Sequence, residues 1–299
     1  MKNYDVIKAL LLAAVNEIPA DPEKYAINPG RDFTRNRKMG FHDTLMMLLT
    51  MEADCIKEEF YRYFGLTTDV PSKVAFYRQR CKLTGDALDN LLYTFNSRLQ
   101  KNLYNRKYQF IACDGSAADI FHNPDDADSF FEPNGKSTKN FNQVHINAFY
   151  SILDRRFTNL VVQPARKRNE YVAFCGMVDA AGRDGPSTIY FADMGYTSYN
   201  NFAHVIEHKQ FFLIRCNDKR LGGILGRKVG GLKEMDCRVE RIFTRTQSKK
   251  KHSRPLLAER YRYIWQGSHW ITWMKATANT TSPCVSSGSK SHLDVLRTS

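Results

Sequence analysis

The chain has 299 residues, with 44 lysines and arginines against 31 aspartates and glutamates, which gives a formal net charge of +13. This length allows one large domain or two ordinary ones, and a content of 42% hydrophobic and 12% aromatic residues argues against wholesale disorder. No stretch approaches the roughly 20 consecutive apolar residues of a membrane helix, which argues against a membrane-spanning protein.

Residues 1–107 are predicted to form a helical domain. Apolar residues step along one helical face from Phe41 to Phe60 and again from Leu88 to Leu99. Between them, Pro71-Ser72 indicates a break and a new helix start, because serine is a good N-cap. Basic residues lie on or between these helices: Arg35, Arg37, Lys38, Arg78 and Arg80. Two interpretations stay open, a packing module with solvated basic faces and a DNA-binding module.

Residues 108–216 are predicted to form an α/β domain. Short apolar runs and helical periodicity alternate in the order strand, two strands, helix, strand, helix, strand. Such an order is typical of a mixed sheet flanked by helices. The first strand ends at Asp114, and a later strand, Thr188 to Ala192, ends at Asp193.

Two further segments differ from this domain. Residues 217–264 are strongly basic, and their alternating stretches indicate a β-rich insertion. Its lysine run, Lys249, Lys250 and Lys251, is either a solvated loop or a phosphate contact. Residues 265–299 hold all three tryptophans, twelve serines and threonines and one acid. This composition favours translation out of the original reading frame after about Ile264 over a disordered tail.

Charge is distributed unevenly between these segments. Residues 109–216 carry a net charge of −2, whereas residues 1–108 carry +4 and residues 217–264 carry +9. An acidic middle between basic flanks is typical of a polyanion-binding protein that also holds a divalent metal. A basic surface without a nucleic-acid partner explains the charge equally well.

Asp114 and Asp193 are the candidate site residues. In an open α/β sheet, ligands bind outside the carboxyl ends of the strands, so these side chains converge if their strands are neighbours. Carboxylate oxygens suit Mg²⁺ or Mn²⁺, and such ions can activate water and stabilise the leaving oxygen of a phosphodiester. The alternative is that both aspartates form ordinary turns after strands.

Three stretches carry a family resemblance: Phe110-Ile-Ala-Cys-Asp-Gly-Ser116, Asn142-Gln-Val-His-Ile-Asn-Ala-Phe-Tyr150 and Phe191-Ala-Asp-Met-Gly-Tyr-Thr-Ser-Tyr199. In their order and spacing they resemble the catalytic core of bacterial insertion-sequence transposases of the DDE type. More narrowly, they resemble the type-four branch, whose core is interrupted by a β-rich insertion. The basic residues at 31–38 and 71–80 are similar to the helical N-terminal region of that family.

The resemblance implies an RNase H-like core that cuts and rejoins DNA at element ends. Asp114 and Asp193 match the first two metal-binding acids of the family, with Mg²⁺ or Mn²⁺ as cofactor. The implied partner is double-stranded DNA, at transposon ends and in the target, and a homodimer on DNA stays open. A cytoplasmic, nucleoid-associated location follows from this substrate. Tyr196 and His145 are expected to have structural roles.

The sequence departs from the family pattern at two places. Met194 stands where the family often has arginine, and no Tyr-x₂-Arg-x₃-Glu signature for the third acid follows Asp193. Glu240 and Glu259 lie in the presumed insertion and are not assigned. These departures predict a truncated transposase that is inactive or poorly folded. The alternatives are a non-catalytic DNA-binding remnant and a general RNase H-like nuclease.

Overall fold

The computed structural model describes residues 3–18, 21–133, 135, 138–182 and 185–215, together with four short strands further along the chain. The chain divides into two compact units, Met1–Gln100 and Lys101–Ser299. Within the described residues, no helix is long and apolar enough to cross a membrane.

The first unit is helical. Its helices are α1 (Asn3–Glu17), α2 (Phe41–Thr50), α3 (Ile56–Phe64), α4 (Lys73–Arg80) and α5 (Asp86–Arg98), with a 3₁₀ turn at Pro22–Tyr25. One buried cluster joins α1, α2 and α5 through Val15, Leu45 and Leu91. A second joins α2, α3 and α4 through Met47 and Phe76, among others. Burial of these apolar side chains is the main force that holds the short helices together.

The periodicity predicts one apolar helical face from Phe41 to Phe60, but the structure divides these residues between two helices. The chain leaves α2 after Thr50 and enters α3 at Ile56. The cause is Glu59, whose side chain is only 2% exposed. Its Oε1 accepts the backbone N–H groups of Glu52 at 2.8 Å and Asp54 at 2.9 Å, which fixes the loop. The predicted cap at Ser72 is confirmed, since its Oγ accepts the N–H of Ala75 at 3.2 Å.

The second unit is built on a mixed sheet of six strands within its described residues. The strands are β1 (Tyr108–Ile120), β2 (Phe130–Phe131), β3 (Phe141–Ser151), β4 (Arg156–Pro164), β5 (Ser187–Ala192) and β6 (Phe211–Ile214). β4 and the short β2 pair with β3, and the sheet continues from β3 through β1 and β5 to β6. The β1–β3 and β3–β4 pairs are antiparallel, whereas β1–β5 and β5–β6 are parallel. This arrangement confirms the predicted α/β, RNase H-like fold.

Helices α6 (Glu170–Ala181) and α7 (Tyr199–Glu207) connect the parallel strands. Side chains of both helices pack against Ile111, Phe149 and Tyr190 in one buried cluster, so they cover the same face of the sheet. The other face carries the neighbouring residues of each strand, because side chains alternate along a strand.

Most of the predicted insertion (217–264) and of the atypical tail (265–299) lies outside the described residues, and so do Lys249, Lys250 and Lys251. Within these segments the structure contains β7 (Arg238–Val239), β8 (Ile242–Thr244), β9 (Tyr261–Tyr263) and β10 (Leu293–Asp294). β7 pairs with β10 and β8 pairs with β9.

A polar cluster joins α6 to α7. Asp179 Oδ1 lies 2.9 Å from His204 Nδ1 and 3.0 Å from His208 Nε2. Burial opposes the ionisation of Asp179, but the hydrogen bonds and charges of the two histidines outweigh it, so the pKa of Asp179 lies below its ordinary value. The cluster therefore stabilises the helix pair while Asp179 is ionised.

We expect Asp179→Asn to lower the free energy of unfolding by about 1 kcal/mol at neutral pH, the typical contribution of one hydrogen bond. Because the pKa is lowered in the fold, the contribution is present above pH 3.8, the ordinary value for aspartate, and is lost as the pH falls through the lower folded value. Urea unfolding at several pH values measures it. The exposed Asp125→Asn serves as control, and equal stability of both variants at pH 7 would contradict the expectation.

Candidate active site

Asp114 and Asp193 lie at the same level on neighbouring strands. β1 and β5 pair in parallel, with Cys113 opposite Ala192. Asp114 is the next residue of β1, and the prediction that this strand ends there is wrong, because β1 continues to Ile120. Asp193 directly follows β5, so the two aspartates occupy neighbouring positions where β5 ends. The condition set by the sequence, that these two strands be neighbours, is met.

Each aspartate is oriented by a glycine that follows it. Asp114 Oδ1 accepts the backbone N–H of Gly115 at 2.8 Å, and Asp193 Oδ1 accepts that of Gly195 at 2.8 Å. Asp193 thereby caps the 3₁₀ turn Met194–Tyr196. In the part of the chain that the structure describes, neither carboxylate has a cationic partner. Two unpaired carboxylates in a strongly basic chain are free to bind a cation through their second oxygens.

Glu170 and His145 lie beside this pair. Glu170 is the first residue of α6, and its Oε1 is 3.1 Å from His145 Nε2. Its Oε2 lies 3.4 Å from the point that a Cβ of Gly195 would occupy, and Asp193 Oδ1 lies 2.9 Å from the same point. Glu170 has no distinctive signal in the sequence, because an acid in the first turn of a helix is common for reasons of helix polarity alone.

Tyr196 and Cys113 line the buried side of the site. Tyr196 is 1% exposed, packs against Phe174 and donates its hydroxyl to Asn147 Oδ1 at 3.2 Å, which confirms the expected structural role. Burial raises the pKa of Cys113 to about 12, and the charges of Asp114 and other nearby acids add to the shift. Burial likewise raises the pKa of Tyr196. Both groups therefore stay protonated and neutral at physiological pH.

Among the described residues, no three His, Cys, Asp or Glu side chains are grouped closely enough to hold a metal ion as they stand. The donor chemistry of the two aspartates still fits Mg²⁺ or Mn²⁺, because both ions prefer hard carboxylate oxygens. The residues that would hold such an ion are Asp114 and Asp193.

The predicted DNA-binding residues of the first unit differ in their surroundings. Arg35 and Arg37 line an open cavity of about 670 Å³ together with Arg31 and Lys82. Lys82 was not predicted, since about 45 residues separate it in sequence from Arg35 and Arg37 and only the fold brings it beside them. Lys38, in contrast, forms an ion pair with Asp69.

Arg78 and Arg80 lie in the last turn of α4, and both are exposed. Arg80 lies over the ring of Tyr77, 5.3 Å from its centroid. None of Arg35, Arg37, Arg78 and Arg80 forms an ion pair with another residue that the structure describes, so their charges are available to an anionic partner.

Gly115 leaves no room for a side chain. A Cβ at this position would lie 2.7 Å from His145 Nε2 and 3.2 Å from the Tyr196 hydroxyl, and both side chains are buried. We expect Gly115→Ala to destabilise the protein by about 1–3 kcal/mol, the usual cost of overpacking. Thermal unfolding measures the effect.

The matched control is Gly176→Ala in α6, where a Cβ would meet no atom within 4 Å. This substitution should stabilise the protein by about 0.5–1 kcal/mol, since alanine favours a helix interior. Equal effects of the two substitutions would show that the space beside Gly115 is not restrictive.

The comparisons with known proteins bear on the same residues. The family model described as Transposase DDE domain matches residues 105–294, nearly two thirds of the chain. The matched stretch contains Asp114, His145, Glu170 and Asp193. No curated protein matches the chain. With the sheet topology and the position of the two aspartates, this match shows that the chain belongs to the transposase DDE domain family.

Proposed function

We propose that this chain binds double-stranded DNA at transposon ends and carries out metal-dependent phosphodiester hydrolysis and strand transfer there. The observation that supports the proposal is the placement of Asp114 within β1 and of Asp193 directly after the adjacent parallel strand β5, without a cationic partner in the described structure. Membership of the DDE transposase family supports it.

The residues of the site would have distinct roles in such a reaction. Asp114 and Asp193 each keep one oxygen on a backbone N–H, which holds the second oxygen in place for an ion. Bound Mg²⁺ or Mn²⁺ would supply positive charge that activates water and stabilises the leaving oxygen. In the proposed reaction, water cleaves a phosphodiester at the element end, and the freed 3′-hydroxyl then attacks the target DNA.

Finer features belong to the same proposal. The assignment of the chain to the type-four branch rests on the three quoted motifs and on the basic segment that follows the core. Because the signature of the third acid is absent from the sequence after Asp193, we propose a truncated enzyme of low activity. A homodimer on DNA and a nucleoid-associated location would follow from the substrate.

We expect the full chain to nick a supercoiled plasmid carrying the element ends slowly with Mn²⁺. Asp114→Ala and Asp193→Ala should each reduce the rate by about three orders of magnitude or more, since such groups act as one unit. Asp119→Asn, an exposed residue further along β1, should leave the rate unchanged. Nicking that persists in both alanine variants would place the chemistry elsewhere, and rapid cutting would refute the proposed impairment.

The cavity of the first unit is proposed to bind DNA phosphates. Its four cations, Arg31, Arg35, Arg37 and Lys82, face one open space, and Asp32 is the only acid that lines it among the described residues. The pKa of Asp32 is lowered, first by the side-chain hydrogen bond from Asn28 and also by the charges of Lys82 and Arg31. The net charge of the cavity is therefore positive, as phosphate binding requires.

We expect the double variant Arg35→Gln/Arg37→Gln to weaken binding of element-end DNA and unrelated DNA alike. The slope of log affinity against log salt should fall by about 2, roughly 1 for each lost phosphate contact. Fluorescence anisotropy at several salt concentrations measures both. Lys38→Gln is the matched control and should change the slope less, because Asp69 already offsets that charge. An unchanged slope in the double variant would contradict the assignment.

A second candidate function is a DNA-binding remnant without catalysis. The missing third-acid signature favours it. It shares the salt-dependent DNA binding and differs in showing no metal-dependent nicking.

A further inference from the structure

We propose that Glu170 is the third carboxylate of the ion site formed by Asp114 and Asp193. The inference rests on the proposed function for the existence of that site. The inference adds a third acid to that site, one that precedes Asp193 in the chain and begins a helix.

The local structure directs Glu170 toward Asp193. Asn169 caps α6 by accepting the N–H of Val172 at 3.1 Å, which fixes where the helix begins. Glu170 Oε2 and Asp193 Oδ1 both lie within 3.4 Å of the Cβ position of Gly195. Any other residue at position 195 would place a side chain between the two carboxylates.

His145 provides an independent observation at the same place. The imidazole is only 4% exposed, and neither ring nitrogen has a hydrogen bond to a described residue. Nε2 makes a close polar contact with Glu170 Oε1, at 3.1 Å. Buried polar groups without a hydrogen bond are rare in folded proteins and call for a functional explanation. A buried, unsatisfied imidazole beside three acids indicates that this edge of the sheet binds a ligand.

Electrostatics show that the three acids share one region. The pKa of the Cys113 thiol is raised first by burial and then by the charges of Asp114, Glu170 and Asp193. Among the described residues, the only basic side chain in contact with these three acids is His145, which contacts Glu170. Carboxylates held in one region repel each other. A divalent cation offsets this repulsion.

Glu170 is less enclosed than the neighbouring His145. Its side chain is 34% exposed, in contrast to the 5% of His145. The proposal requires Oε2 to turn toward Asp193, because the acids do not surround one point as they stand. Three carboxylate groups then surround the ion, with water completing the shell that Mg²⁺ and Mn²⁺ prefer.

The test is Mn²⁺ binding by the full chain without DNA, measured by isothermal titration calorimetry and by the electron paramagnetic resonance signal of free Mn²⁺. We expect Glu170→Gln to weaken Mn²⁺ binding about tenfold or more, since even residues behind the ligands have effects of that size. Glu132→Gln, an exposed glutamate of the same unit, should bind like the unchanged chain. Asp114→Asn reports on the proposed site itself.

The outcomes separate the two proposals. If Asp114→Asn weakens binding and Glu170→Gln does not, the role of Glu170 is overturned and the aspartate site stands. If the unchanged chain binds no Mn²⁺, or Asp114→Asn has no effect, both proposals fail. If circular dichroism shows that Glu170→Gln is unfolded, Glu170→Asp is measured in its place, since it keeps the charge on a shorter side chain. Weakened binding by this variant supports the inference, and unchanged binding overturns it.

Discussion

The parallel pairing of β1 with β5 is the constraint on which the site depends. It places Cys113 opposite Ala192, and the aspartates that follow therefore come to one level. A shift of one residue in this register would turn one of the carboxylates to the opposite face, because side chains alternate along a strand. The register is fixed from the covered face, where Ile111 and Tyr190 pack into the same buried cluster. Packing of the apolar core thus determines where the two aspartates lie, although neither belongs to that core.

Two contacts between histidine and carboxylate in the second unit have different consequences. In the cluster of Asp179 with His204 and His208, one carboxylate oxygen meets two ring nitrogens, so the contact holds two helices together. At the sheet edge, His145 meets Glu170 with poor hydrogen-bond geometry, and unpaired acids lie nearby. The first arrangement satisfies its polar groups internally. The second leaves them unsatisfied, which is the pattern expected where a ligand binds.

Much of the second unit was predictable from the sequence, for identifiable reasons. Its main strands contain apolar runs and its helices have helical periodicity, so their order could be inferred from local pattern. The pairing of β1 with β5 stayed a condition of the sequence interpretation, because local pattern does not determine which strands are neighbours. The separation of α2 from α3 was not predictable, because it depends on Glu59 turning back to bind two backbone N–H groups. Local periodicity carries no information about that contact.

The site was predictable only in part for the same reason. Asp114 and Asp193 are marked in the sequence because each directly follows an apolar run. Glu170 looks like an ordinary acid at a helix start, and Lys82 becomes part of a basic cavity only through tertiary structure. Glu170 is far in sequence from both aspartates, and Lys82 is far in sequence from the arginines at positions 31–37 that share its cavity.

The connections within the sheet also imply an order of assembly. β3 and β4 are joined by a tight turn at residues 152–155 and can form a hairpin early, since local contacts close with little loss of chain entropy. The contact between β1 and β5 closes a much longer stretch of chain, which costs more entropy unless that hairpin and α6 have already shortened it. The two aspartates therefore come together late in folding, and affinity for a divalent ion would report that the whole sheet has closed.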